Sequence, residues 1–210
     1  MHTTLLPVPL APEISLHLAD GRVGLFDENG GAFSSDVPPP FWLFVWAGGQ
    51  ALARYVLDHP EIVRGRTVLD VATGSGVAAI AAARAGAARV TALDVDPQAA
   101  AAAARNATAN DAAVHTRVAD VAQAETTAEV ILAGDVFYTR GVADRMASRL
   151  RRASREGARV LVGDPGRGFF PERLFVRVAE YVVPVPAALE ETESLVTGVW
   201  EMRTKAAASG

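Results

Sequence analysis

Five short, nearly continuous apolar runs, TVLDVA, RVTALDV, AVHTRVAD, EVILAGDV and ARVLVGD, recur through residues 67–164, most of them followed by a stretch of helical periodicity. Apolar runs too short for helices, alternating with helical segments, are the pattern of a parallel sheet covered on both faces. The chain is therefore read as α/β and doubly wound, with a mostly parallel sheet. At 210 residues it has room for one such domain. We divide it into an N-terminal extension over residues 1–40, the α/β domain over 41–203 and a tail over 204–210.

The helical segments follow from local signals. VAAIAAARAG comes after a glycine-rich turn, PQAAAAAARNATAN opens on Pro97 at a position suited to a first helical turn with Asp96 as its cap, and VADRMASRLRRA follows the fourth run. A further helix is expected from Gln50 through ALARYVLDHPEIV, ended by Gly65. In the extension, ISLHLA and RVGLF flank Asp20-Gly21 and predict a hairpin lying against the domain. After Pro171, ERLFVRVAEY is read as a helix leading to a short strand VVPV, and LVTGVWEM as a last strand. Two such strands joined by AALEETES suit an antiparallel terminal hairpin.

Charge and composition remove several function classes. With 20 Lys and Arg against 24 Asp and Glu, the chain lacks the broad basic surface that nucleic-acid binding needs, and RLRRASR at 149–155 reads as a solvated helix end. No cysteine is present, which excludes thiolate chemistry, and the four histidines have no metal-ligand spacing, so no metal is expected. Prolines at 7, 9 and 12 argue against a leader peptide, and no apolar stretch approaches the roughly 20 residues of a membrane span. A cytoplasmic location, with no membrane or nucleic-acid partner, is expected.

The stretch VLDVATGSGVAAIAA places a glycine-rich turn between a buried strand and a helix start, where backbone amides can meet a ligand. Gly74-Ser75-Gly76-Val77-Ala78-Ala79 satisfies a relaxed dinucleotide fingerprint, and Asp94 follows about 20 residues on at a strand end, in place to bind ribose hydroxyls. Asp70 separates the alternatives. A carboxylate beside a pyrophosphate gains nothing, whereas S-adenosylmethionine has no phosphate and carries an ammonium and a sulfonium. Charge thus favours the methyl donor over a nicotinamide or flavin.

The segment Asp70-Val71-Ala72-Thr73-Gly74-Ser75-Gly76 resembles the first motif of class I, seven-strand methyltransferases, with Ala72 where glycine is usual. The resemblance implies the seven-strand order, and donor contacts from Asp70, Ala72, Gly74, Gly76, Asp94 and, near adenine, Asp120. Gly134-Asp135-Val136-Phe137-Tyr138 is similar to the signature after the fourth strand in the lysine-directed branch.

PEISLHLA, PPPFWLFVWAGGQALARYVLDHPEIVRG, LAGDVFY, LVGDPGR and TGVW together resemble the electron transfer flavoprotein β-subunit lysine methyltransferase family over roughly residues 12–201. Family members methylate lysines of that subunit, and bacterial relatives act also on ribosomal protein L7/L12. The resemblance implies donor contacts from Trp46 and Gly48, catalytic roles for Asp135 and Tyr138 facing methyl group and acceptor, and substrate contacts from Trp42, Asp164 and Arg167. Val45 and Ala47 depart from the family's usual Tyr and Pro. A methyltransferase acting on a small molecule, or a non-catalytic protein-binding module, would share the donor motif and differ at the acceptor mouth.

Overall fold

The computed structural model describes residues 3–19, 40–120, 127–166, 168–186, 190 and 192–203. Its strands are β1 (Thr3–Val8), β2 (Ala11–Ala19), β3 (Thr67–Val71), β4 (Arg89–Asp94), β5 (Val114–Val118), β6 (Val130–Gly134), β7 (Arg159–Asp164), β8 (Phe175–Pro184) and β9 (Ser194–Met202). Its helices are α1 (Ala47–Asp58), α2 (Val77–Arg84), α3 (Pro97–Ala109) and α4 (Arg140–Arg155). None of them is long and apolar enough to cross a membrane.

β3 to β9 form one sheet in the order β5-β4-β3-β6-β7-β9-β8. The first five strands run parallel, and β9 is inserted antiparallel between β7 and β8. The chain starts the sheet at β3, builds outward to β5, then returns to β6 on the other side. That reversal makes the carboxyl ends of β3 and β6 the place where an open α/β sheet admits a ligand.

Period-2 alternation splits the core between two faces. Val68, Val90, Ala92, Leu132, Leu161 and Val199 pack under α1 and α2 together with β2. Leu69, Val71, Leu93, Ile131, Val160 and Val162 pack under α4 and the aromatic cluster of Phe137, Phe170 and Phe175. The alanines of α2 and α3 let these helices lie close to their neighbours: the α3 residue Ala103 touches the glycine loop itself. Asp96 caps α3 by accepting from the Gln98 amide at 2.8 Å, with Pro97 in the first turn, as expected.

Two expectations are corrected. The N-terminal hairpin pairs β1 with β2, Thr3 opposite Ala19, and its turn falls between Val8 and Ala11 rather than at Asp20-Gly21. RVGLF lies outside the described residues. Pro7 is accommodated because β1 is an edge strand, where a missing amide costs no ladder bond on its open side. Second, ERLFVRVAEY is no helix: a single 3-10 turn, Glu172–Leu174, leads straight into β8. A register shift between Arg177 and Ala179 interrupts the strand's alternation and imitates helical spacing, while the β-branched residues Val176, Val178, Val182 and Val183 suit an extended chain. The helix expected from Gln50 begins earlier, at Ala47, and ends at Asp58, followed by a 3-10 turn over Pro60–Ile62.

Candidate active site

The site is assembled at the carboxyl ends of β3, β4 and β6. Asp70, the fourth residue of β3, is 2% exposed. Its Oδ2 accepts from the Thr73 hydroxyl at 2.5 Å and from the Ala79 amide, in the first turn of α2, at 3.2 Å. The carboxylate therefore fixes the loop and serves the helix start left uncapped by Gly76. Burial pushes its pKa up to about 7 against the opposing pull of those two donors, and the neighbouring Asp94 charge adds to the rise. A carboxyl held this close to neutrality is readily returned to its ionised form by a cation placed beside it.

Asp94 ends β4. Its Oδ2 accepts from the Gly74 amide at 3.0 Å and its Oδ1 from the Asp96 amide at 3.0 Å. Burial raises its pKa as well, against those hydrogen bonds. An ionised carboxylate has about four acceptor positions, so two remain for a ligand hydroxyl pair.

The two loop glycines serve different ends. Gly74, at φ +52°, faces open space where a side chain would be, which leaves its backbone bare to a ligand. Gly76, at φ +86°, would place a Cβ 3.1 Å from Ala103 of α3. Ala72 adopts φ +53°, the left-handed conformation for which glycine is suited, and holds it with an alanine. Asp120 is exposed just beyond β5, next to Ala119, whose amide donates to the Asp94 carbonyl at 2.9 Å.

Asp135 stands one residue beyond β6, with φ +54°. Its amide donates to the Gly163 carbonyl at 2.9 Å and its Oδ2 accepts from the Gly49 amide at 3.0 Å. Gly48 lies against β7: a Cβ there would fall 2.1 Å from the Gly163 carbonyl oxygen and 2.7 Å from Asp135 Oδ2. Gly49 meets Gly134 in the same way, since a Cβ on Gly134 would be 2.9 Å from the Gly49 Cα. The start of α1 is thus seated on bare backbone at the ends of β6 and β7.

Phe137 and Tyr138 divide the labour of the turn after β6. Phe137 is fully buried between Phe170 and Phe175, whereas Tyr138 is 49% exposed on the rim. Burial raises the Tyr138 pKa, and the negative charge of Asp94 raises it further, so the phenol stays protonated. Its ring lies 6.0 Å from Phe41, which is 5.8 Å edge-on from Trp46. Trp46 precedes α1 and donates from Nε1 to the Phe41 carbonyl at 2.9 Å.

Trp42 packs instead against the cluster of Ala19, Leu43 and Phe44. Asp164 is fully buried at the end of β7, its Oδ1 accepting from the Gly166 amide at 2.7 Å. Arg167 lies outside the described residues.

Asp70, Ala72, Gly74, Gly76, Asp94, Asp135, Tyr138, Trp46 and Gly48 thus gather along one sheet edge. Sequence reasoning missed three contributors. Phe41, rather than Trp42, joins Trp46 to Tyr138. Gly49 supplies the amide that holds Asp135. Val95, directly after Asp94, is 66% exposed, and Val118 at the end of β5 is 54% exposed, so two aliphatic side chains stand open beside the Asp94 carboxylate end of the sheet. Two exposed valines at successive strand ends were the available signal for an apolar ligand face.

Comparison with known proteins agrees with this geometry. A family model described as ribosomal protein L11 methyltransferase matches residues 50–161, which include the glycine loop, Asp94 and Asp135. The electron transfer flavoprotein beta subunit lysine methyltransferase of Danio rerio is 38% identical over 203 residues, covering 93% of this chain and 78% of that protein. The Homo sapiens protein of the same description is 35% identical over 204 residues, covering 91% and 75%. Among solved structures, magnesium protoporphyrin IX methyltransferase from Synechocystis PCC 6803 with bound SAM shares the fold at TM-score 0.55 and 15% identity, covering 74% of this chain and 78% of that one. With a glycine loop between two buried carboxylates, and similarity to those relatives along nearly its whole length, the chain belongs to the electron transfer flavoprotein beta subunit lysine methyltransferase family.

Proposed function

We propose that this protein transfers methyl groups from S-adenosylmethionine to lysine side chains of the electron transfer flavoprotein β subunit. The observation that carries the donor assignment is the pair of buried carboxylates, Asp70 and Asp94, on either side of the bare Gly74 backbone. Asp70 faces the demand of a cationic ligand, Asp94 retains acceptor positions for two hydroxyls, and Val95 and Val118 offer aliphatic surface to a flat base. That set fits a nucleoside carrying an amino acid and no phosphate.

The bound donor supplies an electrophilic methyl group on a sulfonium. The protein's task is to present a neutral amine to it in line. A lysine amine has a reference pKa of about 10.4, so a proton must leave before each transfer. Asp135 is poorly suited to remove it, because an ionised carboxylate beside an ammonium stabilises the charged form. Held by the Gly49 amide, Asp135 instead fixes the direction of the amine, and the proton departs to solvent through the open rim at Tyr138. The faces of Tyr138 and Phe41 accept a partly methylated ammonium, which permits repeated transfer.

The acceptor is read from family membership, with ribosomal protein L7/L12 as a second protein to examine. Purified electron transfer flavoprotein β subunit and L7/L12, each incubated with the enzyme and S-adenosylmethionine, are analysed by mass spectrometry. Mass increases in multiples of one methyl on β-subunit lysines are expected. No increase, with donor binding confirmed separately, overturns the acceptor assignment.

A further inference from the structure

Asn106, in the last half of α3, is fully buried and makes two hydrogen bonds of equal length in opposite directions. Its Oδ1 accepts from the His17 amide of β2 at 2.8 Å, and its Nδ2 donates to the Ser75 carbonyl at 2.8 Å. One side chain therefore joins the N-terminal hairpin to the middle of the glycine loop. One turn later, Asn110 performs the first half of that task alone: its Oδ1 accepts from the Ser15 amide at 2.9 Å and its Nδ2 donates to the Ser15 carbonyl at 2.6 Å. Asn110 reaches no loop residue in those bonds.

Ser75 lies between the two loop glycines. With Ala103 packed 3.1 Å from the Gly76 Cβ position and Asp94 holding the Gly74 amide, the loop is fixed on both sides, and the Asn106 bond fixes the peptide between them. Glycines pay the largest backbone entropy on ordering, so a loop of this composition keeps one shape only where such ties are present. A buried amide that loses one partner leaves a polar group unsatisfied at both ends.

We propose that Asn106 is a positioning residue for donor binding, through which the docked N-terminal hairpin holds the glycine loop in its binding shape. The inference rests on the reading of that loop as the donor site. It gives the hairpin a role in the reaction while placing it behind the loop, on the covered side.

The test compares Asn106→Ala, Asn106→Asp and Asn110→Ala with the wild type, measuring the S-adenosylhomocysteine dissociation constant by calorimetry and Tm by circular dichroism. Asn110→Ala loosens the hairpin without touching the loop, and Asn106→Asp keeps the acceptor for His17 while losing the donor to Ser75. Both Asn106 variants are expected to bind about fivefold more weakly or worse, corresponding to the loss of about one hydrogen bond, with Asn110→Ala within about twofold of wild type at a comparable loss of Tm. Unchanged affinity in the Asn106 variants overturns the inference. So does equal weakening in Asn110→Ala, which would make the effect one of general stability. If Asn106→Ala does not fold, Asn106→Asp decides. A wild type that fails to bind S-adenosylhomocysteine at all overturns the donor reading and this inference with it.

Discussion

The Asp135 carboxylate accepts a hydrogen bond from the Gly49 amide at 3.0 Å, so the turn after β6 and the first turn of α1 hold each other in place. Asp135→Ala removes that acceptor and puts alanine at φ +54°, a conformation that costs about 1–2 kcal/mol for an ordinary L-residue. Asn tolerates it and keeps an acceptor oxygen. Asp135→Asn should therefore retain Tm within a few degrees yet lose turnover at least about tenfold, with donor affinity kept. Full turnover in Asp135→Asn would show that the carboxylate charge does not orient the acceptor.

Gly48 and Gly163 are in backbone contact, and neither has room for a methyl group. Gly48→Ala should destabilise the protein by about 3 kcal/mol or prevent folding, since the Cβ meets a carbonyl rather than a side chain that can yield. Gly141→Ala, in open space on α4, should leave stability unchanged or slightly raised. Chemical denaturation of both reads the contrast, and equal stabilities would refute the close contact.

Ala72 carries a left-handed conformation that glycine adopts freely. Ala72→Gly should raise stability by up to about 1 kcal/mol, net of the entropy glycine loses on ordering. A fall in Tm would mean that the alanine methyl has a contact worth more than its strain.

The Asp70 carboxyl protonates near 7 in the folded protein and near 3.8 when unfolded. Between those values the folded state holds the additional proton, so this group's contribution makes stability fall as pH rises from about 4 to about 7 and level off above. Asp70→Asn should therefore gain Tm over wild type at pH 8 and gain little at pH 5. A cation bound beside Asp70 favours its ionised form, so donor affinity should strengthen from pH 6 to pH 8 in wild type and stay flat in Asp70→Asn. Thermal melts and calorimetry at the two pH values check both; a pH-independent difference between the proteins would dismiss the assignment.

Asp94 holds the Gly74 and Asp96 amides and retains acceptor positions. Asp94→Ala should weaken donor affinity about tenfold or more while leaving the sheet folded. Donor affinity equal to wild type would remove its role.

The parallel part of the sheet was legible because buried strands leave continuous apolar runs, and the loop from Asp70 to Gly76 because glycines and a strand-end carboxylate are local signals. What escaped was set by partners distant in sequence. Nothing near Phe41 announces that it, and not Trp42, meets Tyr138. The Gly49 amide becomes significant only when β6 delivers Asp135 to it. Pro7 and Pro9 read as breakers, although an edge strand and its turn accommodate them, and the register shift at Val178 gave β8 the spacing of a helix. The family resemblance supplied the strand order, which propensity does not encode.

The insertion of β9 between β7 and β8 has a consequence for biosynthesis. β8 has β9 as its only strand neighbour, and β7 keeps an open edge until β9 arrives. As the ribosome extends the chain from Asp164 to Ser194, at about 5–20 residues per second, the nascent sheet passes on the order of seconds with its β7 edge unpaired and the valine-rich Phe175–Pro184 segment without a partner. A pause or truncation within that interval exposes the chain to edge-to-edge association, and release of Ser194–Met202 ends the exposure in a single pairing step.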